Sequence, residues 1–68
     1  MTNKLTSREN DVLNLVSAGK RNQEIAEMLF ITENTVETHL KVIFQKLGVR
    51  NRTAAAAHAE QPAHHGNP

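Results

Sequence analysis

The chain has 68 residues, enough for one small domain, and such a domain buries only about 60% of the surface that its unfolded form exposes. It has no cysteine, which excludes disulfides and cysteine-ligated metals and fits a reducing compartment. Because no apolar run approaches the roughly 18 residues of a membrane span and no signal-peptide core follows Met1, we expect a soluble cytoplasmic protein.

A first helix is predicted over residues 7–18. Residues 6–9, TSRE, have the form of a capping box, in which Thr6 caps the helix and Glu9 reaches back to the Thr6 amide. Gly19 can end the helix in a left-handed conformation. Between these signals, apolar residues recur at helical spacing: Val12, Leu13, Leu15 and Val16.

A second, shorter helix is predicted over residues 22–29, with Asn22 as its N-cap. No glycine follows it. We therefore expect Phe30 and Ile31 to make the corner with negative φ and to bury their side chains. Thr32 then offers the N-cap oxygen of the next helix. Two helices joined by so short a turn are typical of a helix-turn-helix.

The third helix is predicted over residues 33–47, with Gly48 ending it. One edge carries an apolar stripe with a period near 3.6, made of Val36, Leu40, Ile43 and Leu47 with Phe44 alongside. At about 100° per residue, the opposite edge carries Asn34, Thr38, Lys41 and Gln45, flanked by Thr35, Glu37 and Lys46. Such hydrogen-bonding groups suit a DNA major groove, although an ordinary solvated face would show the same pattern.

The net charge of +1 is low for a nucleic-acid binder, but the charge is unevenly distributed. Residues 41–60 carry a net +3, because four cations (Lys41, Lys46, Arg50 and Arg52) stand against Glu60. A basic face around the end of the third helix would follow from this distribution. Scattered surface charges can also produce such an imbalance by chance.

A fourth helix is predicted over residues 51–60, with Asn51 as its N-cap and an alanine run at residues 54–57. Small side chains let another helix approach closely, so this helix forms either a dimer surface or a packing surface within the domain. Residues 61–68 have nothing to bury and are predicted to be a disordered tail, which leaves 1–60 as the domain.

Nothing in the sequence indicates catalysis. There is no glycine-rich phosphate loop, and His39 has no partner at metal-ligand spacing. His58, His64 and His65 lack a rigid ligand spacing, so we expect no metal and no cofactor. The chain is predicted not to be an enzyme.

Five segments in order, LTSRE, VLNLVSAGK, NQEIAEML, ITENTVETHL and KLGVRNR, resemble the LuxR-type DNA-binding domain also found in FixJ, NarL and GerE proteins. The resemblance runs from Leu5 to about Ala57. It implies an all-α fold, a four-helix bundle containing a helix-turn-helix (tetrahelical LuxR-type). It also implies a bacterial transcription regulator that binds double-stranded DNA with its third helix, forms a homodimer through its fourth, and contacts RNA polymerase.

The resemblance also implies roles for individual residues. Base edges would be contacted by Asn34, Glu37, Thr38 and Lys41. Phosphates would be contacted by Lys20, Asn22, Thr35 and Lys46. The dimer surface would include Ala54, Ala55, Ala57 and His58. Several relatives have a lysine where Glu37 stands, and a carboxylate there could accept a hydrogen bond from cytosine N4.

One question about the LuxR-type interpretation and two alternative functions remain open at this point. The chain is either a stand-alone regulator of the GerE kind or an output domain of a larger response regulator or ligand sensor. A sigma-factor promoter-binding domain shares the pattern LTxRE…EIA…TV, but KLGVRNR and the fourth helix favour the LuxR type. A helical protein-interaction module that binds no DNA is the alternative from a different class.

Overall fold

The computed structural model describes residues 4–65, with side chains for residues 4–59. Within that range the chain forms four helices and no strand: α1 (Ser7–Ser17), α2 (Asn22–Leu29), α3 (Glu33–Leu47) and α4 (Arg52–His65). The predicted all-α, four-helix fold is confirmed.

Both ends of α1 follow local signals in the sequence. The Thr6 hydroxyl accepts from the Glu9 N–H at 3.1 Å, and the Glu9 carboxylate accepts from the Thr6 N–H at 2.9 Å. This reciprocal capping box is the predicted one. At the other end Gly19 has φ +86°, and the Lys20 N–H donates to the Leu15 carbonyl at 3.0 Å. The chain thus leaves α1 through a left-handed turn.

The start of α2 differs from the prediction. Asn22 is the first helical residue, not the N-cap, and Arg21 occupies the N-cap position with an extended backbone. A guanidinium has no acceptor, so only half of a capping box can form there. That half is the 2.8 Å bond from the Arg21 N–H to the Glu24 carboxylate. The Asn22 side chain is consequently available for another role, described below.

The turn between α2 and α3 corrects a second prediction. Phe30 has φ +60° and its side chain is 93% exposed, whereas the sequence predicts negative φ and burial. Only three residues separate the helices, and a left-handed C-cap lets the chain reverse in that space. The N–H of Ile31 then donates to the Ala26 carbonyl at 3.0 Å, and Ile31 packs partly against the core. The left-handed conformation sends the phenyl ring into solvent.

The caps of α3 and α4 agree with the predictions. The Thr32 hydroxyl accepts from the Thr35 N–H at 3.1 Å, and Gly48 ends α3 with φ +71°. The Asn51 side chain accepts from the Ala54 N–H at 2.8 Å. Helix α4 continues to His65, past residue 60 where the sequence predicted its end. Residues 66–68 of the predicted tail lie outside the described residues.

Every helix contributes to the core, which comprises Val12, Leu13, Val16, Ile25, Ala26, Val36, Leu40, Ile43 and Ala55. Four of these side chains are fully buried: Val12, Ile25, Val36 and Ile43. Each valine or isoleucine buried in this way contributes about 1.5–3 kcal/mol through removal from water. The three buried residues of α3 belong to the predicted stripe, so the core fixes the rotation of α3 about its own axis.

Candidate nucleic-acid interface

The polar edge of α3 faces solvent. Asn34, Glu37, Thr38 and Lys41 are all exposed, as is Gln45 one turn further on. The exposure follows from the burial of Val36, Leu40 and Ile43 on the other edge. The four residues predicted to contact bases therefore share one accessible surface, which we call the α3 polar face.

The hydroxyls of Thr38, on this face, and of Thr35, beside it, are hydrogen-bonded within α3 and its N-cap. The Thr38 hydroxyl donates to the Asn34 carbonyl at 3.1 Å, which leaves its oxygen able to accept from a base. Thr35 is half-buried, and its hydroxyl lies 2.9 Å from the Thr32 hydroxyl at the helix start. Thr35 thus belongs to the N-terminal cap of α3, although its hydroxyl can still bond outward.

The segment entering α2 holds two of the predicted phosphate-contacting residues, Lys20 and Asn22, both half-buried. Both accept from the guanidinium of Arg52, the first residue of α4. The Asn22 side-chain oxygen accepts at 2.7 Å, and the Lys20 carbonyl oxygen accepts at 2.7 Å. The donors that remain for a phosphate are the Lys20 ammonium and the Asn22 amide N–H groups.

The ammonium of Lys46, another residue predicted to contact a phosphate, is bonded within the domain. It donates to the Glu9 carboxylate at 2.8 Å and to the Lys4 carbonyl at 3.3 Å. The Glu9 residue is only 7% exposed. Withdrawing Lys46 would leave a buried carboxylate without its ion pair, so this bond ties α3 to α1 and competes with the predicted phosphate contact.

The bond from Lys46 is also the main reason why the pKa of Glu9 lies below its usual range. The Thr6 N–H lowers the pKa further, and burial opposes both effects. The pKa of the Glu24 carboxyl is likewise lowered, chiefly by the Arg21 N–H. Both carboxylates are thus held in the charged form by groups of their own domain.

The predicted basic face is smaller than the charge count suggests. Of the four cations in residues 41–60, Lys46 and Arg52 bond within the domain, whereas Lys41 and Arg50 are exposed. Nothing in the sequence indicates these internal bonds, because the partners of Lys46 and Arg52 lie between 30 and 42 positions away. No local pattern marks such pairs.

The predicted dimer surface on α4 also needs a correction. Ala55 is fully buried in the core and cannot offer a surface to a second copy. Ala54 is half-buried, while Ala57 and His58 are exposed. Ala56 and Ala59 pack partly against the core. The alanine run therefore packs largely within the domain. The outer side of α4, formed by Ala57 and His58 with Ala54 at its margin, remains accessible to a second copy of the chain.

Other kinds of site have little support in the part of the chain that the structure describes. No group of three or more His, Asp or Glu side chains there is arranged to hold a metal. A shallow groove of about 260 Å³ lies between α1 and α2, lined by Asp11, Asn14, Leu15, Met28 and Leu29. None of the helices over residues 4–65 has both the length and the apolarity to cross a membrane.

Comparison with known proteins decides the family. The profile described as "Bacterial regulatory proteins, luxR family" matches residues 3–59, which include the α3 polar face and all the described residues of the core. The chain belongs to this family. Within the chain, α2 and α3 are joined by a three-residue turn, as is typical of a helix-turn-helix.

Curated relatives agree with the family. The chain is 53% identical over 55 residues to the "Probable csgAB operon transcriptional regulatory protein" of Salmonella typhimurium, and equally so to the "CsgBAC operon transcriptional regulatory protein" of Escherichia coli. Each match covers 81% of this chain and 26% of the relative. It is 51% identical over 57 residues to the "Transcriptional regulatory protein LiaR" of Bacillus subtilis, covering 84% and 27%. This luxR-family chain thus spans about a quarter of these relatives' length.

Proposed function

We propose that this chain binds duplex DNA sequence-specifically to regulate bacterial transcription, with α3 in the major groove. The observation that carries the proposal is the α3 polar face, an accessible row of donors and acceptors on a helix whose rotation the core fixes. Major-groove base edges present distinct patterns of donors and acceptors that such a row can read. The names of the relatives, all transcriptional regulatory proteins, support the same function.

Base recognition is assigned to Asn34, Glu37, Thr38 and Lys41. A side-chain amide such as that of Asn34 pairs well with adenine, and a carboxylate such as that of Glu37 accepts from cytosine N4. Lys41 supplies a cation one turn after Glu37, within reach of a guanine or a phosphate. Because Glu37 repels phosphates, the face should discriminate among sequences more than it adds to general affinity.

Phosphate contacts are assigned to Lys20, Asn22 and Thr35, with the exposed Arg50 as a further cation of the domain. Most of the affinity of a DNA-binding domain comes from such contacts, and it falls as salt rises. With Lys46 and Arg52 bonded internally, two of the four cations in residues 41–60 remain exposed, Lys41 and Arg50. We therefore infer modest affinity for one domain and stronger binding by two.

Pairing of two copies is assigned to α4, through Ala57 and His58 with Ala54 at the margin. Two-fold symmetric dimers place two reading helices on half-sites about one helical turn apart, or at another fixed spacing. The chain would act either alone or as the output domain of a larger regulator that contacts RNA polymerase. No cofactor, metal or catalytic step is part of the proposal.

A helical protein-interaction module is the second candidate. Two large apolar side chains are exposed at the end of α2, Phe30 at 93% and Met28 at 50%. Exposed apolar surface can mark a protein contact, and the net charge of +1 is low for a DNA binder.

Selection of bound duplexes from a random-sequence library at moderate salt, followed by sequencing, tests both candidates. Two short half-sites at a fixed spacing would support specific reading by a dimer. A single half-site would mean that the chain binds DNA as a monomer. No enrichment, at a concentration where circular dichroism shows the folded chain, would reject DNA binding and favour the protein-interaction module.

A further inference from the structure

Arg52 connects two parts of the domain that the sequence places far apart. Its Nη1 donates to the Asn22 side-chain oxygen at 2.7 Å, and its Nη2 donates to the Lys20 carbonyl oxygen at 2.7 Å. These acceptors lie on either side of Arg21. The guanidinium therefore holds the segment Lys20–Asn22 at both ends, while the turn at Gly19 fixes where the segment begins.

The position of Arg52 is not explained by α4 itself. A cation in the first turn of a helix meets the positive end of the helix dipole, which is unfavourable. The N-terminus of α4 is capped instead by Asn51, whose side chain accepts from the Ala54 N–H. A guanidinium, by contrast, can donate to two separate oxygens at once with a fixed spacing. The two bonds to Lys20 and Asn22 therefore account for an arginine at this position.

We propose that Arg52 is a positioning residue for DNA binding, which holds the segment Lys20–Asn22 so that the Lys20 ammonium reaches a phosphate. The proposal rests on the function proposed above and adds a residue to it. Arg52 binds a carbonyl and a side-chain oxygen within the domain, so it acts through Lys20 and not by touching DNA. Since Arg52 is part of α4, the helix assigned to dimer formation is also tied to the start of α2.

Salt dependence of binding separates this role from a purely structural one. The probe is a short fluorescein-labelled duplex of mixed sequence, and its anisotropy is followed with the full chain over a series of KCl concentrations. Each phosphate contact contributes about 0.9 to the slope of log K against log salt. The variants are Arg52→Gln, Lys20→Gln and the double variant, all measured where circular dichroism shows a folded chain.

The slope should fall by about 0.9 for Arg52→Gln and by the same amount for Lys20→Gln. The double variant should show no larger fall than either single one, because both remove the same phosphate contact. Arg52→Lys should recover part of the slope, since an ammonium can reach one of the two oxygens. If Arg52→Gln acted only by lowering stability, its effect on the slope would not depend on whether Lys20 is present. A double variant whose slope falls no further than that of a single variant therefore identifies positioning of Lys20.

Two controls accompany these variants. Arg8→Gln removes one charge from an exposed site on α1 and should leave the slope unchanged. Thr6→Ala removes the cap of α1 and lowers stability away from the proposed contact, and it too should leave the slope unchanged.

Three results would overturn the proposal. An unchanged slope in Arg52→Gln would show that the segment needs no positioning, and an unchanged slope in Lys20→Gln would show that Lys20 meets no phosphate. A fall of about 1.8 in the double variant would mean that Arg52 contacts a phosphate itself. In each case salt-dependent binding by the unmodified chain would leave the proposed function intact, whereas absence of any binding would reject both.

Discussion

The Lys46 ammonium lies 2.8 Å from the Glu9 carboxylate, and this pair ties the last turn of α3 to the first turn of α1. The same Glu9 oxygen accepts from the Thr6 N–H at 2.9 Å. One buried carboxylate thus serves both as half of a capping box and as the partner of a distant lysine. The arrangement links the start of the domain to the end of its proposed reading helix.

Replacing Lys46 should reduce stability and leave the DNA contacts unchanged. Lys46→Met removes the partner of a buried carboxylate, so we expect the free energy of unfolding to fall by about 2 kcal/mol. Urea denaturation measures this change. The matched variant Lys41→Met lies on the exposed face and should unfold like the unmodified chain, but it should weaken DNA binding because it removes a cation from the α3 polar face. The reverse pattern would return Lys46 to the phosphate-contacting residues.

The lowered pKa of Glu9 predicts loss of stability in acid. A carboxyl whose pKa is lower in the folded state takes up protons first in the unfolded state, so it stabilises the fold above its ordinary pKa of 4.5. That stability is lost as the pH falls below about 4.5 and through the lowered folded-state value. Glu9→Gln should therefore reduce stability at neutral pH and flatten its decline in acid, as measured by urea denaturation at several pH values.

Glu24→Gln is the control for this pH effect. The pKa of Glu24 is also lowered, but its side chain is much more exposed than that of Glu9, and exposed interactions contribute little to stability. If the loss of stability in acid became smaller in Glu24→Gln than in Glu9→Gln, the acid sensitivity would not come mainly from Glu9.

Phe30→Asn should stabilise the domain. A phenylalanine at φ +60° is strained, and its ring is 93% exposed, so it gains little from burial. Asparagine tolerates the left-handed region, and we expect the free energy of unfolding to rise by about 0.5–1 kcal/mol. Phe30→Ala provides the comparison, because it removes the ring without favouring that φ. A loss of stability in the asparagine variant would mean that the ring packs on the domain.

Two neighbouring alanines of α4 should respond in opposite ways to enlargement. Ala55→Leu adds volume to a fully buried site and should lower stability by about 1–3 kcal/mol. Ala57→Leu lies at an exposed site and should leave stability nearly unchanged. Thermal unfolding separates the two effects.

Charge at the outer side of α4 tests the proposed dimer. Ala57→Glu should shift sedimentation equilibrium towards monomer if two copies pair through this side, because two carboxylates would be brought together. Arg8→Glu, on the exposed side of α1, should leave the association unchanged. If Ala57→Glu associated as strongly as the unmodified chain, two copies would not pair through α4.

Glu37 and Thr38 should affect sequence preference more than general affinity. Thr38→Ala should change the ranking among selected duplexes. Glu37→Gln should relax a preference for cytosine at one position and tighten binding to all sequences, because it removes a charge that repels phosphates. Parallel selections from a random library measure both changes. Uniform losses of affinity with unaltered preferences would show that α3 is not the reading helix.

Much of this fold could be predicted because its signals are local. The capping box at Thr6 and Glu9, the glycine after α1 and the apolar stripe of α3 each operate within a few residues of the chain. The same periodicity that buries Val36 exposes Thr38, so the α3 polar face was predictable as well. Helical geometry relates spacing to direction in a fixed way, and local sequence therefore determines both the helices and the face that they present.

The partners of individual cations and the path of the turn were decided only by tertiary structure. Lys46 and Arg52 look like surface cations in the sequence, but helix packing brings them to oxygens more than 29 positions away. Phe30 looks like a core residue, yet reversal within three residues imposes a left-handed conformation and exposes it. Distance along the chain carries no information about such encounters, because they depend on how four helices pack around one shared core.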